Sequence, residues 1–155
     1  MKITITNLKK NDACHYGVSA FADIFGKEAY LSNIFGYYYA VSDGEIEIPK
    51  DKFYNFYDIE EWLKWLIASM MTIEDVNRFA IKCLDVVIEN VESLIDEGWD
   101  VHDFEDRFAR FLDEVALLDD DYTHSVASHI MGFYEGWLTN HTGDLFFELE
   151  KILNG

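Results

Sequence analysis

Proline and cysteine are scarce in this chain of 155 residues. Pro49 is the only proline, and Cys14 and Cys83 are the only cysteines. Because no stretch rich in proline, glycine or serine interrupts the chain, we expect a single domain over residues 1–155. Two thiols without a secretory leader indicate a reducing compartment, and Cys83 is expected in the core because its neighbours are apolar.

Long apolar runs are also missing. The longest one, near residues 66–71, is far shorter than the roughly 20 residues that a membrane-spanning helix needs. The first residues lead directly into an alternating pattern, with no apolar leader segment before it. The sequence therefore predicts a cytoplasmic protein that does not enter membranes.

Motifs of established catalytic chemistry are absent. The sequence has no HExxH, no GxSxG, no EF-hand loop and no glycine-rich phosphate loop. Cys14 and His15 are adjacent, whereas a Cys–His dyad needs side chains that face each other from separate parts of a fold. Asp120 and His124 are four residues apart, but acids at this point are also what a helix N-terminus favours. We therefore expect no enzymatic activity, no metal and no cofactor; a metal-dependent enzyme using residues 119–124 stays a third alternative.

Basic residues are few and acidic residues are many. The chain has 12 Lys and Arg against 30 Asp and Glu, a net charge of −18. Solubility of a small domain needs a net charge of only about 2–8 in magnitude. Such an excess repels nucleic acid and anionic lipid. It predicts a cationic partner.

The acids are concentrated in one part of the chain. The first 50 residues hold five basic and six acidic residues, whereas the remaining 105 hold seven basic and 24 acidic ones. Residues 85–121 alone contain 14 acids against two arginines, Arg107 and Arg110. Apolar residues at helical spacing separate these acids, so the pattern indicates folded helices with a charged outer face and not a disordered tail.

The first third of the chain has β-strand signals. Residues 2–8 alternate between apolar and polar side chains, as strands do. Residues 37–41 and 45–48 flank Asp43-Gly44, which predicts a β-hairpin. Short helices are predicted over 17–25 and 27–35, broken at Gly26 and Gly36.

The rest of the chain has helix signals. Asp58 with Glu61, and Thr72 with Asp75, are spaced like capping boxes, and Asp100 is placed to cap the helix that follows it. Five helices are predicted, over residues 59–71, 73–97, 101–118, 122–138 and 144–153. The predicted fold class is α+β: a small N-terminal antiparallel sheet with short helices (1–50), then a mainly helical bundle with an acidic face (51–155).

The helix predicted over 73–97 would carry Asp85, Glu89, Glu92 and Asp96 at positions i, i+4, i+7 and i+11. In one continuous helix these acids would form a strip of about 16 Å. The partner-binding residues that we predict comprise this strip and the acids that follow it: Asp85, Glu89, Glu92, Asp96, Glu97, Asp103, Asp106, Asp113, Glu114, Asp119, Asp120 and Asp121.

These acids other than Glu97, with the opening Ile3-Thr4-Ile5-Thr6-Asn7-Leu8, make the chain resemble the acidic DNA-mimic anti-defence proteins of phages and mobile elements. That class includes antirestriction proteins of the ArdA type and anti-CRISPR proteins. The resemblance implies a non-enzymatic inhibitor whose acidic face occupies the DNA- or guide-binding channel of a nuclease. The implied partner is a basic nucleic-acid-binding protein, such as a CRISPR effector or a restriction enzyme, with no direct binding to nucleic acid. The alternative is an immunity protein or antitoxin that neutralises a basic toxin, and a homodimer stays open.

Overall fold

The computed structural model describes residues 1–98, 100, 102–103, 106, 109–110, 113, 127–128, 130–132 and 145–154. The chain divides into two compact units, Met1–Trp65 and Leu66–Gly155. A two-stranded antiparallel sheet lies in the first unit, and the described residues are otherwise mostly helical. The predicted α+β class is therefore confirmed.

The sheet of the first unit pairs β1 (Lys2–Thr4) with β2 (Glu28–Tyr30). β1 is shorter than the strand predicted over residues 2–8, because a helix, α1 (Ile5–Lys10), starts directly after it. Thr4 ends the strand and caps this helix, since its Oγ1 accepts a 3.1 Å hydrogen bond from the Asn7 amide. A capping threonine satisfies an amide that the start of a helix leaves unpaired.

Two further helices of the first unit are α2 (His15–Phe25) and α3 (Leu31–Ser42). α2 follows the prediction and ends at Gly26, whose φ is +79°. α3 replaces the first strand of the predicted hairpin and continues through Gly36, where the sequence predicted a break. The reason is that buried residues recur at helical spacing in this segment, and their burial outweighs the β propensity of its aromatic residues. The buried residues are Leu31, Ile34, Phe35 and Tyr38. The second predicted strand, over residues 45–48, is irregular, so the hairpin prediction was wrong.

The helix α4 (Phe56–Met70) begins three residues earlier than predicted. Its capping box is formed by Asn55 and Asp58: the Asp58 amide donates to Asn55 Oδ1 (3.0 Å), and the Asn55 amide donates to Asp58 Oδ2 (2.9 Å). Asp58 is thus the second member of the box and not the N-cap. The predicted partner, Glu61, instead forms an ion pair with Lys64. The division between the two units falls within this helix.

In the second unit, α5 (Ile73–Glu89) packs against the last helix, Leu145–Asn154, which agrees with the helix predicted over 144–153. The predicted capping box of α5 is confirmed: the Asp75 amide donates to Thr72 Oγ1 (3.1 Å), and the Thr72 amide donates to Asp75 Oδ2 (3.0 Å). A short helix, α6 (Val91–Asp96), follows α5. The core of this unit includes four large side chains with exposure of 1% or less: Phe79, Leu94, Phe146 and Leu149.

Candidate functional site

The buried face of α5 determines which of its side chains reach solvent. Residues at helical spacing along this face are at most 1% exposed: Val76, Phe79, Ala80, Cys83 and Val86. They anchor the helix by removing apolar surface from water. Asp85 and Glu89 lie outside this stripe and are exposed.

The helix predicted over 73–97 is interrupted at Asn90. The prediction of one continuous strip of acids along a single helix was therefore wrong. Asn90 has φ −117° and ψ 23°, which is outside the helical region. Its amide and its side-chain Nδ2 both donate to the Val86 carbonyl, at 3.1 and 2.9 Å. The Val86 carbonyl thus accepts both hydrogen bonds from Asn90, and a new helix, α6, begins at Val91.

In α6 the fully buried Leu94 takes the inward position, and Glu92 and Asp96 are exposed. The acids are therefore arranged as two pairs, Asp85 with Glu89 on α5 and Glu92 with Asp96 on α6. Within each pair the residues are about 6 Å apart along the helix axis. Each strand of DNA has one phosphate per about 3.4 Å, so the charge spacing within a pair is wider than that of DNA but of the same order.

The end of α6 leads into another capped turn. The amide of Gly98, whose φ is +92°, donates to the Ile95 carbonyl at 3.0 Å. Asp100 then caps the next helical residues as predicted, because its Oδ1 accepts a 3.1 Å hydrogen bond from the Asp103 amide. Local capping chemistry thus fixes where this acidic segment turns.

The predicted partner-binding residues fall into two groups. Eight of them are described, and all eight are exposed: Asp85, Glu89, Glu92, Asp96, Glu97, Asp103, Asp106 and Asp113. The other four lie outside the described residues: Glu114, Asp119, Asp120 and Asp121.

The two acid pairs form no ion pairs within the described part of the chain. Residues 83–106 include nine acids and no lysine or arginine. Asp85, Glu89, Glu92 and Asp96 make no ion pair with any cation in the part of the chain that the structure describes. Elsewhere acids are paired, as Asp23 is with Lys52 at 3.0 Å. The field of these four carboxylates is therefore directed at solvent and at any approaching cation.

Three isoleucines interrupt the acidic surface, although two of them, Ile88 and Ile95, follow the apolar helical repeat that is typical of core positions. Ile81, Ile88 and Ile95 are 43%, 56% and 56% exposed. Val86, by contrast, is buried. The isoleucines' spacing of seven residues was the signal in the sequence that could have identified them.

A second feature that the sequence did not predict is an open cleft of about 630 Å³ in the first unit. The irregular segment after α3 forms most of its wall, including Ile46, Pro49 and Phe53. Its volume is within the range of small-molecule sites. Lys52 and Tyr54, two of its polar lining residues, are bonded to Asp23.

The described residues contain neither a cluster of metal ligands nor a membrane-spanning helix. Among them, no group of three or more His, Cys, Asp or Glu side chains is placed to hold a metal ion. The alternative metal site at Asp119, Asp120, Asp121 and His124 lies outside the described residues. No helix within the described ranges is long and apolar enough to cross a membrane.

Comparison with protein-family models, with curated proteins and with solved structures gave no match to this chain. The resemblance to DNA-mimic anti-defence proteins therefore stays a prediction that depends on the acidic residues themselves.

Proposed function

We propose that this protein is a non-enzymatic inhibitor that binds the nucleic-acid-binding surface of a basic protein, such as a CRISPR effector or a restriction enzyme. The observation that supports this proposal is the set of four exposed carboxylates without cation partners among the described residues: Asp85, Glu89, Glu92 and Asp96. A channel that neutralises phosphates with Lys and Arg releases counterions when it binds DNA. It would release them equally when it binds these carboxylates.

The fold supports this function because it holds the carboxylates without neutralising them. Each pair is on a helix whose opposite face is buried, through Val76 and Cys83 on α5 and Leu94 on α6. Fixed charges of one sign lose less entropy on binding than the charges of a disordered tail. The expected inhibition is competitive with DNA or guide RNA and falls steeply with salt.

The test is an assay of target-DNA binding by a panel of purified CRISPR effectors and restriction enzymes, with increasing amounts of the protein. The test variant carries Glu89→Lys, Glu92→Lys and Asp96→Lys. The matched control variant, Asp43→Lys, Glu45→Lys and Glu47→Lys, reverses three exposed acids of the first unit and so gives the same net charge.

We expect the protein to inhibit a member of this panel, the first variant to lose inhibition, and the control to keep it. Equal loss in both variants would show that net charge alone acts. Retained inhibition in the first variant would refute the acidic face as the binding surface. Neutralisation of a small basic toxin, with no effect on any nuclease, would establish the immunity-protein alternative instead.

A further inference from the structure

The isoleucine face, which we define as Ile81 and Ile88 of α5 with Asp85 and Glu89, combines apolar and anionic surface. Ile81 and Ile88 are seven residues apart on α5, so they project in directions that differ by about 20° and lie about 10 Å apart along the axis. They are not at the edge of the core, because the buried stripe that contains Val76 and Cys83 lies on the opposite side of the helix.

Acids lie next to these isoleucines. Asp85 lies between Ile81 and Ile88 along α5, and Glu89 directly follows Ile88. Two basic residues lie close to Ile81: Arg78, which forms an ion pair with Asp75, and Lys82, which projects about 100° away from Ile81 around the helix. The exposed apolar surface at Ile88 is therefore bordered by negative charge.

We propose that the isoleucine face binds a cationic amphipathic helix of the partner protein, with its apolar residues on Ile81 and Ile88 and its Lys or Arg residues opposite the acids. An apolar face in contact with acids calls for a partner that has both apolar side chains and positive charge. A second copy of this chain would place like charges against each other, and nucleic acid or an anionic bilayer would be repelled.

This inference rests on the proposed function and makes it more specific. A pure phosphate mimic would bind through charge alone, and salt would screen all of its affinity. Burial of isoleucine adds a contribution that salt does not screen. The target surface is therefore one where basic residues flank an apolar ridge, such as a helix at the edge of a nucleic-acid channel.

The test uses two synthetic peptides of equal length and equal lysine content. One has leucine at every third or fourth position, and the other has glutamine there, which keeps a similar helix propensity. Fluorescence anisotropy measures their binding to the full chain at low and high salt. We expect the leucine peptide to bind about tenfold more tightly, which is the scale of burying part of two isoleucines, and to keep this difference at high salt.

The matched variants are Ile81→Gln with Ile88→Gln, and Ile46→Gln as a control. Ile46 is 43% exposed, the same as Ile81, but lies in the first unit. We expect the double variant to lose the preference for the leucine peptide and the control to keep it. Equal affinity for both peptides, failure of both to bind, or the same loss in the control would overturn the inference.

The inference and the proposed function can fail separately. If the leucine peptide binds through Ile81 and Ile88 but no nuclease of the panel is inhibited, the isoleucine face stands and the proposed function fails. If a nuclease is inhibited equally by the wild type and by the isoleucine double variant, the proposed function stands and the inference fails. A dimer that sedimentation detects in the wild type but not in the double variant would identify a second copy as the occupant and overturn the proposal.

Discussion

Tyr54 and Asp23 are 31 residues apart in sequence, and Tyr54 Oη donates a 2.8 Å hydrogen bond to Asp23 Oδ2. Lys52 Nζ lies 3.0 Å from the same carboxylate oxygen. Tyr54 is only 6% exposed, whereas Asp23 is exposed. Burial and the bond to Asp23 both raise the pKa of Tyr54, which keeps its hydroxyl protonated as the donor. The hydrogen bond between Tyr54 and Asp23 links the irregular segment that follows α3 to helix α2.

Removal of the Tyr54 hydroxyl tests this contact. We expect Tyr54→Phe to lower the free energy of unfolding by about 0.5–1.5 kcal/mol, the net contribution of one hydrogen bond. Urea denaturation followed by tryptophan fluorescence measures the change. Tyr57→Phe is the matched control, because Tyr57 is 66% exposed and its hydroxyl is expected to contribute little. Equal effects in the two variants would contradict the assigned role of Tyr54.

The Asp23 carboxylate should make the protein less stable in acid. Hydrogen bonds from Tyr54 and then Lys52 hold the pKa of Asp23 below its ordinary value of 3.8. A lowered pKa in the folded state stabilises the fold above the unfolded value, and this contribution is lost as the pH falls through the folded value. We expect Asp23→Asn to flatten the acid limb of a plot of urea midpoint against pH. Asp51→Asn, which removes an exposed acid, should leave that limb unchanged.

Acid sensitivity should not vanish completely in the Asp23→Asn variant. Burial alone would raise the pKa of Asp75, but hydrogen bonds from Thr72 and the ion pair with Arg78 outweigh burial and lower it. The sign of its contribution is therefore the same as for Asp23. A completely flat acid limb in Asp23→Asn would contradict this second contribution.

The two cysteines should differ sharply in reactivity. Cys83 is fully buried, and burial raises the pKa of its thiol, whereas Cys14 is exposed at the start of α2. Because the thiolate is the reactive form, we expect an aromatic disulfide reagent to label Cys14 in the folded protein and Cys83 only after unfolding. The Cys14→Ser variant provides the control and should show no fast labelling. Equal rates for both thiols in the folded wild type would refute the burial of Cys83.

Local capping chemistry was predictable from the sequence, because its signals depend on residues three positions apart. The box of Thr72 and Asp75 and the cap at Asp100 were both predicted and are confirmed. The β2 strand, Glu28–Tyr30, was not predicted, because its existence depends on pairing with residues more than 20 positions away. α3 was missed because aromatic residues fit strands and helices alike, and only burial at helical spacing decides between them.

The sequence identified which described acids are exposed, but it did not predict how α5 and α6 arrange them. Five of the six residues from Cys83 to Ile88 are apolar, so the pattern alone could not determine that Val86 points inward and Ile88 outward. The packing partner decides this, and it lies elsewhere in the chain. Asn90 has no unusual helix propensity, so the interruption between α5 and α6 also has no clear signal in the sequence.

Neutralising Glu89, Glu92 and Asp96 should stabilise the protein and at the same time abolish the proposed partner binding. We expect Glu89→Gln, Glu92→Gln and Asp96→Asn together to raise Tm by about 2–4 °C at low salt, because they relieve repulsion between like charges. The gain should shrink at high salt.

Glu61→Gln is the control for this experiment. Glu61 lies 2.6 Å from Lys64 Nζ, so its neutralisation removes an attraction instead of a repulsion and should not raise Tm. Differential scanning calorimetry at two salt concentrations measures both variants. A drop in Tm for the triple variant would show that these acids serve the fold and would weaken their assignment to a partner.

The interruption at Asn90 lets the direction of the α6 carboxylates change in evolution separately from that of the α5 carboxylates. The repeat of a single helix does not fix the direction of Glu92 and Asp96 relative to Asp85 and Glu89. The buried Leu94 anchors α6 and thereby sets that direction. A substitution at this hidden position can turn one pair of carboxylates relative to the other without altering a surface residue. Homologous proteins with identical surface acids but different residues at position 94 would then present these carboxylates in different directions.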